Sequence, residues 1–235
     1  MTEFRPGSFQ VIPPVIKNLV IINVLIFLAY QTLGPGIQEK MDNLLALHDL
    51  HSVYFRPHQL ITYLFMHGGW DHIFFNMFAL WMFGSILENY WGGKRFLIFY
   101  MVSGVGAAVC HLAVLYPEMT STLQQLRDVY GDQQVQENLY DHNFAINGIT
   151  VGASGAVFGC LAAFGYLFPN SLIYLYFFVP IKAKWLVLGY AALEFFSGVR
   201  NSAGDNVAHW AHLGGGLAGL LLVIYWNRNN RRNFY

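Results

Sequence analysis

The sequence predicts an all-α membrane protein, a six-transmembrane-helix bundle that takes up residues 1–235 as a single membrane domain. Three observations lead there. Hydrophobic residues make up 55% of the 235-residue chain and charged residues only 11%, whereas soluble domains carry about a quarter charged. The apolar residues gather in six segments, and about 20 residues are enough for a helix to cross a hydrocarbon core. Polar residues of catalytic type sit inside three of those segments, where they are costly unless paired or functional.

The segments are 15–33, 72–90, 96–116, 149–168, 183–196 and 208–226. The first opens on Pro13 and Pro14 and carries Lys17, whose long stem lets its charge snorkel to the interface. No small-residue cleavage site follows it, so it is expected to remain as a span. The fifth is the weakest, because 171–180 is also apolar and Pro180 interrupts the run. Cys110 and Cys160 lie within apolar text and read as small core residues. No separate soluble domain, low-complexity tract or internal repeat stands out.

Basic residues set the orientation. With six spans, Arg5, Lys17, Lys94, Arg95, Lys182, Lys184, Arg228, Arg231 and Arg232 fall on one side. Lys40, Arg56, Arg127 and Arg200 fall on the other. This bias places both termini in the cytoplasm, with the cell (inner) membrane as the expected location. Connections 34–70 and 117–148 are then external, and the second of these is acidic through Glu118, Asp128, Asp132, Glu137 and Asp141. Formal net charge is zero, which gives no electrostatic reason to expect nucleic acid as a partner.

The second, fourth and sixth segments all run inward from the outer face. Taking a helical rise, Ser154 lies about 10 Å past Asn147 and His212 about 8 Å past Val207. His72 and Asn76 occupy the first turns of the second segment. All four side chains are therefore expected at one level in the outer third of the bilayer.

Their chemistry is complementary. A serine hydroxyl is a weak nucleophile until a base takes its proton, and neutral imidazole is such a base near physiological pH. Ser154 sits early in its helix, where unpaired N–H groups and the positive dipole end favour a developing oxyanion. His72 and Asn76 are i, i+4 neighbours on one face, so both are candidate oxyanion donors. No aspartate adjoins His212 in sequence, so the expectation is a Ser154–His212 dyad and not a triad. The bland alternatives are a serine packed or bonded to its i−4 carbonyl and a histidine serving as interhelical glue; the shared depth weighs against both. Gly152, Gly155 and Gly159 on one segment, and Gly215 and Gly219 on the other, supply the small-residue stripes that let membrane helices approach closely.

The text His67-Gly-Gly-Trp-Asp-His72-Ile-Phe-Phe-Asn76, Gly152-Ala-Ser154-Gly155 and Ala211-His212-Leu-Gly-Gly215-Gly-Leu-Ala-Gly219 resembles the rhomboid family of intramembrane serine proteases. The order of the motifs and the predicted topology agree across nearly the whole chain. The resemblance implies a rhomboid-like bundle and a serine endopeptidase, with Ser154 as nucleophile and His212 as general base. It implies Asn76, His72 and the Ser154 N–H as oxyanion donors, and membrane-spanning proteins as substrates. Two positions depart from the family pattern. The first external connection reads Pro57-His58-Gln59-Leu60 where Trp-Arg is common, and Phe158 stands where a tyrosine often stacks on the histidine.

The remaining polar residues invite quieter readings. Glu88 is expected to be a structural hydrogen-bond partner, and His209 to serve packing or loop bonding. The stretch 41–55 looks amphipathic and is expected in the interface. His48-x-x-His51 offers two metal ligands, too few for a site, so no metal or cofactor is expected. The glutamine-rich stretch 124–136 reads as a solvated helix. Two other functions fit the composition less well. A catalytically silent relative that holds client spans has no need of both Ser154 and His212. A channel or transporter would want more ionisable residues along its path than Glu88, His111 and Glu194.

Overall fold

A computed structural model describes residues 9–141, 144–175, 178–200 and 208–230. Arg5, Arg231 and Arg232, counted in the charge bias, and Val207, used to gauge depth, lie outside the described residues.

Helix α1 (Pro14–Thr32) begins on a proline, whose missing N–H would be unpaired there anyway. The next two N–H groups, of Val15 and Ile16, donate to the two carboxylate oxygens of Glu88, each at 2.9 Å. Glu88 is thus the structural hydrogen-bond partner that the sequence suggested, an acid at the positive end of a helix. Helix α2 (Pro35–Leu45), strand β1 (Leu47–His48) and the short helix α3 (Gln59–Thr62) follow. The amphipathic stretch 41–55 is therefore not one element: its helix ends at Leu45, and the chain turns through Ser52 and Phe55. Helix α4 (Trp70–Ala79) passes through a π turn at Leu80–Gly84 into α5 (Ser85–Trp91). Gly92, at φ +81°, makes the corner into α6 (Gly93–Tyr130).

The expected connection 117–148 is largely helical, and the solvated helix read at 124–136 lies within it, broken at Gly131. Helix α6 continues past Pro117 to Tyr130, and α7 (Asp132–Asn138) follows Gly131. A proline inside a helix removes one hydrogen bond, but the Leu, Gln and Arg residues beyond it are good helix formers. Strand β2 (Ile149–Thr150) and helix α8 (Ser154–Leu167) come next. Strands β3 (Leu172–Leu175) and β4 (Val179–Lys182) then lead into α9 (Ala183–Arg200) and α10 (His209–Asn230).

The all-α expectation needs correcting in two places. Strand β1 pairs antiparallel with β2, Leu47 opposite Thr150 and His48 opposite Ile149. The apolar run before the fifth segment is a hairpin, β3 against β4, from Leu172 opposite Lys182 to Leu175 opposite Val179. Its β-branched and aromatic residues suit a pleated pair, and Pro180 is tolerated because, among the described residues, each strand has a single partner.

Helices α6, α8 and α10 form the centre. A Cβ placed on Gly215 of α10 would run into the Gly155 carbonyl of α8, and one on Gly219 would come within 3.0 Å of Gly159 Cα. Ser103, Gly106 and Ala107 of α6 close the third side against Gly159, Ala218 and Gly155. The two glycine stripes therefore let backbones meet. Outward, large apolar side chains stay uncovered, among them Phe75 on α4 and Leu193 and Phe196 on α9. Large uncovered apolar side chains of this kind suit a surface that meets lipid. Helices α1 and α6 are each long and apolar enough to cross a bilayer.

Candidate active site

Ser154 is the first residue of α8, and the chain before it is not helical. The estimate of about 10 Å in depth took the chain as helical from Asn147; residues 149–150 are strand and the helix starts only at Ser154. Gly152 forces this, because its φ of +128° is open mainly to glycine and turns the chain sharply into the helix. The entry is braced from several sides. The Gly152 N–H donates to the Tyr63 carbonyl at 3.0 Å, and the Tyr63 hydroxyl donates to the Gly104 carbonyl of α6 at 2.8 Å. Thr150 Oγ1 lies 2.9 Å from His111 Nε2. Ser52 of the first connection donates to Asn147 Oδ1 at 2.7 Å.

At this corner the first intrahelical bond runs from the Val157 N–H to the Ala153 carbonyl, at 3.0 Å. The N–H groups of Ser154, Gly155 and Ala156 thus have no acceptor within the helix. The Ser154 side chain reaches across to α10, where its Oγ lies 2.8 Å from His212 Nε2. Ser154 is half-buried and His212 buried. The imidazole is held flat against Phe158 of α8, with ring planes within 1° and centroids 4.9 Å apart. Tyr190 of α9 packs on Phe158 in turn, at 4.7 Å between centroids.

His72 on α4 borders the same space. A Cβ on Gly152 would sit 2.7 Å from His72 Nε2 and 3.7 Å from Ser154 Oγ, so the missing side chain leaves the imidazole facing the hydroxyl. The Gly68 N–H points at His72 Nδ1 at 3.4 Å, which leaves the ring proton on Nε2, the nitrogen that faces Gly152. Asn76 is buried, and its amide donates to the His72 carbonyl at 2.9 Å.

The sequence showed Glu194 as an ionisable residue within a span but not what it meets. Glu194 of α9 is buried, with Oε2 2.6 Å from His209 Nδ1 and 3.0 Å from His212 Nδ1. The closer contact is a hydrogen bond. The farther one has the distance of an ion pair but too oblique an approach for a well-formed hydrogen bond. His212 therefore does have a carboxylate beside it, contributed by another helix. His48 and His51 serve local bonding, His48 Nδ1 at 3.2 Å from the Ala46 carbonyl and His51 Nδ1 at 2.7 Å from Asp49 Oδ1.

Fold and site together define a helical protein that brings a serine hydroxyl, an imidazole and a carboxylate together among apolar helices. Residues 54–229 match the Rhomboid domain model, and the chain belongs to the rhomboid family. It is 31% identical over 172 residues to Rhomboid protein 1, mitochondrial, of Saccharomyces cerevisiae, covering 71% of this chain and 41% of that protein. It is 28% identical over 225 residues to RHOMBOID-like protein 12, mitochondrial, of Arabidopsis thaliana, covering 94% of this chain and 60% of that one. It is also 28% identical over 174 residues to Rhomboid protease AarA of Providencia stuartii, covering 68% and 53%. The chain spans roughly two fifths to three fifths of the length of these curated relatives. The family is membrane-embedded and includes serine intramembrane proteases.

Proposed function

We propose that this chain is an intramembrane serine endopeptidase that cleaves proteins within or beside their membrane-spanning segments. The observation that carries the reading is the 2.8 Å approach of Ser154 Oγ to His212 Nε2 across α8 and α10. In this reading His212 Nε2 takes the hydroxyl proton as Ser154 Oγ attacks the peptide carbonyl carbon. The oxyanion that forms is met by the Ser154 N–H at the positive end of α8, by His72 Nε2–H and by the second amide proton of Asn76. Collapse expels the new amine, which takes the proton back from His212. Water then attacks the acyl-enzyme by the same proton path and releases the acid.

The membrane arrangement belongs to the same proposal. The six apolar segments cross the bilayer, with both termini in the cytoplasm and Ser154 toward the outer face. Helix α8 has 14 residues and so spans about 21 Å of a hydrocarbon core about 30 Å thick. With its inner end at the cytoplasmic interface, its first residue is recessed below the outer surface, with the non-helical stretch 149–153 above it. Irregular backbone at that depth is tolerated only where protein covers it or water lines it. A water-lined recess is also what hydrolysis requires.

A fluorophosphonate is expected to label the detergent-solubilised protein, and Ser154→Ala to abolish the label. Wild type is expected to cleave single-span reporter proteins, and neither Ser154→Ala nor His212→Ala to do so. Labelling that persists in Ser154→Ala sinks the nucleophile assignment. A wild type that binds reporters without cleaving any would instead make this a client-holding relative.

A further inference from the structure

Helix α9 turns a stripe of residues inward, Ala183, Val187, Tyr190, Glu194 and Gly198, spaced three or four apart. Ala183 is fully buried, Val187 packs against Gly165 of α8, Tyr190 against Phe158, and Gly198 against Trp210 and His209 of α10. Glu194 is the one carboxylate of this stripe. A carboxylate buried in such a place is costly unless its charge is matched, and the groups that meet it are two imidazole nitrogens. One of them, Nδ1 of His212, belongs to the ring whose other nitrogen faces Ser154.

We propose that Glu194 is the positioning residue of the proteolytic site, so that Ser154, His212 and Glu194 act as a triad assembled from three helices. The inference rests on the protease reading above. An ionised carboxylate only accepts, so a carboxylate beside Nδ1 keeps the ring proton on Nδ1 and leaves the Nε2 lone pair toward the serine. When Ser154 attacks, its proton moves to Nε2, and the ring becomes a cation protonated at both nitrogens. Glu194 then faces that cation at about contact distance, without taking the proton itself. His209 holds the carboxylate from the other side through its 2.6 Å bond and so fixes where Oε2 points.

The same three residues have the composition of a His₂Glu metal set, all with ligand atoms within 4.8 Å of one another. Their spacing argues against that use. Ligands about 2.0–2.2 Å from a tetrahedral ion sit about 3.3 Å apart, whereas Glu194 Oε2 and His209 Nδ1 are 2.6 Å apart, a hydrogen-bond distance. Phe158 also covers one face of the His212 ring, and Tyr190 of α9 packs on Phe158 behind it. His212 thus has its face, its serine side and its Nδ1 side all fixed.

The test uses the purified full chain, a single-span reporter and a fluorophosphonate. Glu194→Gln keeps shape but not charge, and the amide can present a donor to Nδ1. It is expected to lower kcat on the order of 10²-fold, within the bound of about 10⁴ seen when the orienting acid of a serine protease becomes an amide. KM is expected to stay near wild type, the thermal midpoint to hold, and the rate of fluorophosphonate labelling to fall alongside kcat. Glu194→Asp is expected to recover part of the loss. His209→Gln is expected to cost less than Glu194→Gln, because it leaves the carboxylate beside His212. The role is overturned if Glu194→Gln cleaves and labels at wild-type rates, if it lowers only the thermal midpoint, or if His209→Gln matches it. Activity that is lost on chelation and restored by zinc would also overturn it and make the trio a metal site. If wild type neither labels nor cleaves, the protease reading itself fails, which no Glu194 variant result mimics.

Discussion

Phe158 and His212 stack face to face across the boundary between α8 and α10, with their ring planes within 1°. Phe158 is one helical turn after Ser154, so the helix that presents the hydroxyl also supplies the platform for the ring that faces it. The Ser154–His212 distance is therefore set by how two helices pack and not by a flexible loop. That is what a proton transfer over a short hydrogen bond requires.

Removing the platform should loosen the base without removing it. An aromatic pair contributes about 0.5–1.5 kcal/mol beyond area burial, equivalent to roughly two- to twelvefold in rate. Phe158→Leu is expected to lower kcat within that range, while Phe158→Tyr, which keeps the face, is expected to stay within about twofold. Steady-state cleavage of a reporter by the two variants checks this. Equal losses in both would show that the packing volume matters and the aromatic face does not.

The close approach of α8 and α10 makes a separate claim about stability. A methyl on Gly215 would run into the Gly155 carbonyl, which is backbone and cannot swing aside. Overpacking of this kind costs about 1–3 kcal/mol. Gly215→Ala is expected to lower the thermal midpoint and to reduce kcat, because the displaced helix carries His212. Gly189, whose added Cβ would meet nothing within 4 Å, is the control. Gly189→Ala is expected to leave the midpoint unchanged or slightly higher.

Much of the site was legible in the sequence because its chemistry and its local geometry share the same few residues. A serine after glycine, a histidine before a glycine stripe and an i, i+4 pair of His72 and Asn76 are readable along the chain. What remained hidden depends on contacts between helices. Glu194 looks like any polar residue of an apolar segment, and nothing local says that its face of α9 meets α10. The corner at Gly152 was hidden for another reason. Apolar periodicity does not distinguish strand from helix over five residues, and a φ of +128° leaves no mark in composition. The hairpin before α9 was missed because a short apolar run fits a strand or a piece of buried helix alike. The third segment was ended at 116, yet the helix formers beyond Pro117 carry α6 on to Tyr130.

Orientation is testable without any activity. The acidic helical segment around Gln133 is proposed to be external and Asn229 cytoplasmic. Gln133→Cys and Asn229→Cys, each in a background carrying Cys110→Ala and Cys160→Ala, are expected to react with an impermeant thiol reagent from opposite sides of the membrane. Labelling from the same side would remove the shared inward direction of α8 and α10 relative to the bilayer and the recess proposed for Ser154.

Asn76 separates mechanism from mere need. Its amide carries two N–H donors, and one is used on the His72 carbonyl at 2.9 Å. In the proposed mechanism the other serves the oxyanion. An amide does not titrate, so Asn76 has no part as a base, and any catalytic role is donation to the oxyanion. Loss of one such donor typically costs about 10²–10³ in kcat. Substrate binding should survive, since the bond is stronger in the transition state than in the ground state. Asn76→Ala is therefore expected to lower kcat by that factor with little change in KM and with the fluorophosphonate still able to find Ser154. Asn76→Asp is expected to be at least as poor, because an ionised carboxylate cannot donate and repels the developing charge. A near-normal rate in Asn76→Ala would leave α4 contributing His72 and packing alone, and the oxyanion would then depend on that imidazole and the start of α8.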